Sequence, residues 1–314
     1  MEKLLISNTP HVRSSATTKR IMLDVVIALC PAAIFGIVAF GLNAFLIIAL
    51  SILSCVASEV CYRLIRKEKF MNIIKTMDFT SVVTGLILAM NLGSQVPLYV
   101  PVFGGMFSII VVKMLFGGTG KNFVNPAIAG RVFLLISFGS VMGSGWLNPS
   151  IGTIQEVGAN GVPSILDLFL GTGIAGCLGE TSKLCLLIGG IYLCIRGVID
   201  WKYPLIYILV AGLTLALYKG DFNIFLPSIL SGGLFLGAIF MATDYVTTPN
   251  TTIGNIVYFV VLGVMTGIFR GVAGGEVVSY CILFMNLLVP LIDRFIVPKP
   301  FGYQKPEKKK KEDK

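Results

Sequence analysis

The apolar residues of this chain come in runs about as long as a bilayer is thick, and that constrains it more than any motif. Crossing the hydrocarbon core takes about 20 consecutive apolar residues in a helix. Runs near that size fall at 21–40, 43–62, 80–95, 97–116, 127–142, 183–199, 203–218, 224–242, 253–269 and 276–297. A globular core does not need such lengths. Only 13% of the chain is charged, about half the fraction usual in soluble domains. The pattern predicts an all-α integral membrane protein of about ten transmembrane helices. The runs 80–95 and 203–218 are short, so either is expected to be a tilted or broken span.

A net charge of +9 invites a nucleic-acid reading, but the placement of the charge argues against that partner. Lys and Arg gather in the arm before Ile21, at Arg63–Lys75, at Lys113–Arg131, at Arg196–Lys202 and in the tail Lys305–Lys314. Read as loops and termini, these clusters mark the cytoplasmic side. The polar arm itself reads as uncleaved rather than as a signal peptide. Phe133 to Ser182 carries neither Lys nor Arg and is expected outside. An even number of spans then puts both termini in the cytoplasm.

The stretch FGGTGKNFVNPAIAGRVF, Phe116 to Phe133, interrupts this scaffold with glycines, asparagines and a proline. Irregular backbone at membrane depth is tolerated only where protein or a water-filled cavity satisfies its polar groups, so the break reads as a site. A weak internal repeat places a second break. TGLILAMNLGSQVP (from Thr84) leads to GGTGKN, as GGLFLGAIFMATDYVTTP (from Gly232) leads to RGVAGGE. Pro97 precedes Gly117 by 20 residues, and Pro249 precedes Gly271 by 22. The copies fall in successive groups of five spans, and an odd number forces opposite orientations. Two inverted five-helix repeats with broken helices follow, an arrangement that sets sites near the midplane. The divisions are a cytoplasmic arm (1–20), a first repeat (21–142), an extracytoplasmic loop (143–182), a second repeat (183–297) and a basic cytoplasmic tail (298–314). A structured loop as long as 143–182 usually carries a function.

Several chemistries are excluded. His11 is the only histidine, so a bis-histidine haem and histidine-rich metal sites are ruled out. The seven cysteines form no C-x-x-C pair and read as small buried hydrophobes. Gly117–Lys121 looks like a phosphate loop but lacks its spacing and its Ser/Thr. Among the acids, Asp24, Glu59, Asp78, Glu276 and Asp293 lie near span ends, where solvation or pairing with Arg/Lys is the plain reading. Asp244, in the polar stretch ATDYVTTPNTT, is the strongest functional candidate.

DFTSVVTGLILAMNL (from Asp78), FGGTGKNFVNPAIAGRVF, ILDLFLGTGIAGCLGETS (from Ile165) and MATDYVTTP (from Met241) carry a resemblance. In order, they are similar to the D subunits of Rnf ion-translocating oxidoreductase complexes and the homologous B subunits of the sodium-pumping NADH:quinone oxidoreductase. The resemblance implies a fold like that of urea and ammonium transporters in a bacterial or archaeal plasma membrane. The implied partners are the other Rnf subunits and Na⁺ or H⁺. It implies an FMN esterified through its phosphate to a threonine in the extracytoplasmic loop, within an S-G-A-T-like motif. Here Ser150-Ile151-Gly152-Thr153 occupies that place, with Thr153 as the attachment and Ser150 and Gly152 beside it; Ile151-Gly152 replaces the Gly-Ala pair. Thr172 and Thr181, in the same loop, are the alternative attachment threonines. A second, non-covalent flavin, riboflavin, is implied near the cytoplasmic break. Asn122 and Asn125 either hydrogen-bond its ring edge or cap broken helices. The function implied is electron relay between ferredoxin and NAD⁺, coupled to ion movement. The alternative is a small-solute channel of the same fold without redox chemistry.

Overall fold

A computed structural model describes residues 17–144, 164–171, 176–273 and 277–297. Among them every regular element is a helix. Helix α1 (Thr18–Phe40) starts where the Thr17 hydroxyl accepts from the Arg20 N–H at 3.3 Å, and ends at Gly41. With φ at +79°, Gly41 turns the chain straight into α2 (Leu42–Ile65). Short α3 (Phe70–Thr76) and α4 (Thr80–Met90) meet at 68°. Helix α5 (Tyr99–Met106) widens into a π-helix over Phe107–Met114, and α6 (Pro126–Ser137) and α7 (Gly139–Ser144) follow the glycine-rich break.

After short α8 (Ile165–Leu170), helices α9 (Lys183–Ile195) and α10 (Lys202–Lys219) lead to a second bent pair. There α11 (Phe225–Leu230), entered through the 3₁₀ turn Phe222–Ile224, meets α12 (Leu234–Leu236), which runs on as π-helix over Gly237–Met241. This pair bends by 66°. Helices α13 (Thr252–Ala273) and α14 (Val278–Phe295) complete the described chain.

Among the described residues, α1, α2, α13 and α14 can each cross a membrane by length and composition, and counting each bent pair as one span raises the number from 4 to 6. The stretches Tyr99–Met114, Pro126–Ser137 and Lys183–Ile195 are shorter apolar helices. Side chains such as Ile34, Val38, Leu53, Ile253 and Phe284 are exposed on the outer faces, as lipid contact requires. Of the two short runs, 80–95 is the broken one. Run 203–218 instead forms unbroken α10, and the second break falls in Phe222–Met241.

The middle of the fold is made of the two half-helices. Ten of the 11 residues of α4 are buried, as are all residues from Leu234 to Met241. A helix that stops inside the protein leaves carbonyls without partners. For α4 the partners come from far along the chain: the Leu178 N–H donates to Leu92 O at 2.9 Å and the Gly179 N–H to Met90 O at 2.8 Å. The end of the predicted loop 143–182 is packed into the protein, since Cys177 to Ser182 are buried against the broken helix. Lys113 and Arg131 are likewise not loop charges. They lie within helical segments and are 3% exposed.

Close helix crossings rest on glycine. A Cβ on Gly189 would sit 2.1 Å from Ala28 O, and one on Gly85 would sit 2.7 Å from the Ile52 Cα. Both obstacles are backbone and cannot rotate away. We expect Gly189→Val to separate α1 from α9 and to destabilise the detergent-solubilised protein by about 1–3 kcal/mol or more. Gly139→Ala, which meets nothing within 4 Å, should leave the melting temperature unchanged.

Candidate functional site

A cavity with about 790 Å³ of empty space, part of it open to solvent, lies where the two half-helices converge. Met22 and Val25 of α1, Val83, Thr84 and Ile87 of α4, and Leu193 of α9 form one part of its wall. Ile239 and Phe240, on the π-turn of the second half-helix, and Thr243 to Val246 form another. The glycine-rich break contributes Thr119, Gly120, Asn122 and Asn125, and Lys113 comes from the end of the π-helix. Both π segments thus reach the cavity, where the wider turn re-aims side chains.

Three residues singled out from sequence, Asn122, Asn125 and Asp244, meet on this one cavity. Ser150, Gly152 and Thr153 lie outside the described residues, as does Thr172. Thr181 is buried, in the segment that docks against α4.

Asn125 is the N-cap of α6: its side-chain oxygen accepts from the Ala127 N–H at 3.0 Å. Its Nδ2 donates to Met241 O at 3.2 Å, satisfying the end of the opposing half-helix. With the Asn286 amide oriented to satisfy both ends, Asn286 accepts from the Asn125 N–H at 3.2 Å and donates to the Tyr258 hydroxyl at 2.8 Å. One asparagine thereby ties α6, α14 and the second half-helix together. Asn122 donates from Nδ2 to Val124 O at 3.0 Å and shapes the break.

Asp244 follows the second half-helix. Its Oδ2 accepts from the Thr247 hydroxyl at 3.1 Å. Burial pushes its pKa above the ordinary carboxylate value, against the lowering effect of the Thr247 hydroxyl and the Val246 N–H. The acid accepts only part of the hydrogen bonding it can take, so it can still receive a donor from a ligand.

The sequence pattern did not single out Lys113. It is the only cation among the described residues that line the cavity. Its Nζ pairs with Glu59 Oε2 at 3.0 Å and donates to the hydroxyls of Thr80 and Ser81. A cation inside the apolar run 97–116 was the available signal. Glu59 is 6% exposed. It also accepts from Ser81 and faces Arg63 at 3.8 Å. Asp24 behaves as its position suggested: it pairs with Arg196 at 3.1 Å and accepts from Tyr192.

The lining suits a planar, partly polar ring. Aliphatic and aromatic groups from both half-helices match an apolar body, while Asp244 offers an acceptor and Lys113 a positive charge.

Known proteins resemble the chain along nearly its whole length. The NQR2, RnfD, RnfE family matches residues 5–302. In Acetobacterium woodii, the D subunit of the Na(+)-translocating ferredoxin:NAD(+) oxidoreductase complex is 42% identical over 320 residues, covering 98% of each chain. In Clostridium ljungdahlii, the D subunit of the proton-translocating ferredoxin:NAD(+) oxidoreductase complex is 34% identical, covering 95% of this chain and 96% of the relative. The D subunit of an ion-translocating oxidoreductase complex of Stutzerimonas stutzeri is 33% identical over 93% of both.

Two outcomes test the site. Asn125→Ala removes a cap and leaves Met241 O without its donor, which should cost about 1–3 kcal/mol in a detergent melting assay. For Asp244, the native pKa is raised, so its contribution is fully present below the ordinary value and lost as pH rises through the raised one. Asp244→Asn should therefore melt increasingly above the native protein as pH rises above the ordinary carboxylate value.

Proposed function

The chain belongs to the NQR2, RnfD, RnfE family, and from that membership we propose that it is the flavin-carrying membrane subunit of an Rnf-type complex. In this reading the complex passes electrons between reduced ferredoxin and NAD⁺ and moves Na⁺ or H⁺. The other subunits supply the soluble substrates' sites, and this chain is not catalytic alone. The observation that carries the reading is the convergence of Asn122, Asn125 and Asp244 on one cavity between two broken helices. The relatives' membership of ferredoxin:NAD(+) oxidoreductase complexes favours redox coupling over a simple solute channel.

The proposed architecture is ten spans in two inverted repeats of a urea- and ammonium-transporter-like kind. Its support is the parallel order of elements. Two helices, a bent pair and two further helical stretches occur in 18–137 and again in 183–295. In this arrangement both termini are cytoplasmic, in a bacterial or archaeal plasma membrane, and the loop 143–182 faces outward.

Two flavins are proposed. Thr153, flanked by Ser150 and Gly152, takes an FMN as a phosphoester, which leaves the ring electronically free. Riboflavin takes the cavity, against Asn122, Asn125 and Asp244. Bound flavins supply electron transfer, and the protein supplies orientation and electrostatics. Asn125, already committed to Ala127 and Met241 O, holds the cavity wall in shape, while Asp244 remains available to accept from a ring N–H. The half-helices exclude bulk water from the apolar part of the site.

The two sites separate experimentally. Thr153→Ala should abolish flavin fluorescence on a denaturing gel while leaving acid-extractable flavin. Val83→Trp, which fills the cavity, should do the reverse. Retained gel fluorescence in Thr153→Ala overturns the tether, and unchanged extractable flavin in Val83→Trp overturns the cavity assignment.

A further inference from the structure

We propose that Lys113 is the residue that compensates negative charge gained in the cavity, an inference that rests on the flavin reading of that site. Lys113 answers the buried Glu59 carboxylate, but it does so at a helix end that does not favour a cation. The ammonium donates to Thr80 and Ser81, the first residues of α4. A helix N-terminus favours an anion and disfavours a cation. Asp78 already serves that end, accepting from the Thr80 N–H at 3.2 Å and from its hydroxyl at 2.6 Å.

Arg270 makes the contrast. It too approaches a helix break, but it donates to Ser228 O at 2.8 Å and Ser231 O at 2.7 Å, at the C-terminal end of α11. A cation belongs there. Lys113 instead sits against the dipole, in a nearly buried position that requires the Glu59 carboxylate to hold it. Glu59, Asp78 and Arg63 do not line the cavity, whereas Lys113 does. Its positive charge is therefore the member of this cluster presented to an occupant.

One-electron reduction of a bound ring breaks no bond and adds one unit of negative charge. The electron comes from dithionite in the test below and from a carrier of the ferredoxin-fed complex in the cell. A fixed ammonium at the wall favours the reduced state more than the oxidised one. Lys113 thereby raises the reduction potential of the cavity flavin and has little effect on the tethered one.

The test is spectroelectrochemical titration of the purified, flavin-loaded protein, with acid-extractable flavin counted in each variant. Lys113→Gln should keep the extractable flavin and shift its potential negative, with the tethered flavin unmoved as an internal reference. Lys113→Arg should stay near the native potential. Lys113→Gln leaves Glu59 buried without its partner, so the double variant Lys113→Gln/Glu59→Gln guards against misfolding and should shift in the same direction by less. A native potential in both Gln variants, or a shift in Lys113→Arg as large as in Lys113→Gln, overturns the role of Lys113 alone. Loss of extractable flavin from the double variant also overturns it, because the lysine would then hold the oxidised ring equally. A native protein without extractable flavin overturns the flavin reading and this inference together.

Discussion

Every backbone polar group inside a membrane protein must find a partner within the protein, and the centre of this fold is organised by that demand. Two half-helices stop inside the molecule, and their ends are satisfied from distant parts of the chain. The main chain of Leu178 and Gly179 reaches the end of α4, and the Asn125 side chain reaches Met241 O. Arg270 covers the carbonyls at the second bend. Each of these groups would cost several kcal/mol if left unpaired in hydrocarbon. The breaks are therefore stable only as part of the assembled core, and the same breaks open the space that becomes the cavity.

Buried charge follows the same logic. Glu59 with Lys113, and Glu180 with Arg131 at 3.3 Å, put paired ions among helices whose outer faces are apolar. Burying an ion costs more than a pair usually returns, and removing one partner costs more still, about 3–5 kcal/mol. Arg131 also donates to Asn91, at the end of α4. One pair lies at each end of α4: Glu59–Lys113 at its start and Arg131–Glu180 at its finish. The central half-helix is thus held at both ends by groups that do not tolerate separation.

The sequence revealed the membrane class, the glycine-rich break and the cavity residues Asn122, Asn125 and Asp244. It misplaced others for identifiable reasons. Lys113 and Arg131 were grouped with the exposed Lys121 because a charge near a span end reads as a loop charge when only the linear order is visible. Run 203–218 is short enough to read as either a tilted or a broken span, and α10 runs without interruption from Lys202 to Lys219. The segment Cys177–Ser182 looked like loop because it is polar and carries turn residues. Its polarity is used inside, where the Leu178 and Gly179 N–H groups meet the end of α4.

What the sequence determined by itself was local: helix, apolar length and the positions where a helix cannot continue. These depend on residues within one or two turns of each other, and hydrophobic runs with Gly, Asn and Pro interruptions record them directly. The tertiary structure decided which interruptions face one another and which charges are buried. Asn125 and Met241 are 116 residues apart, and Lys113 and Glu59 are 54 apart. Contacts over such separations leave no periodic trace in the chain, because they are set by how whole helices pack and by which unpaired groups the packing must satisfy.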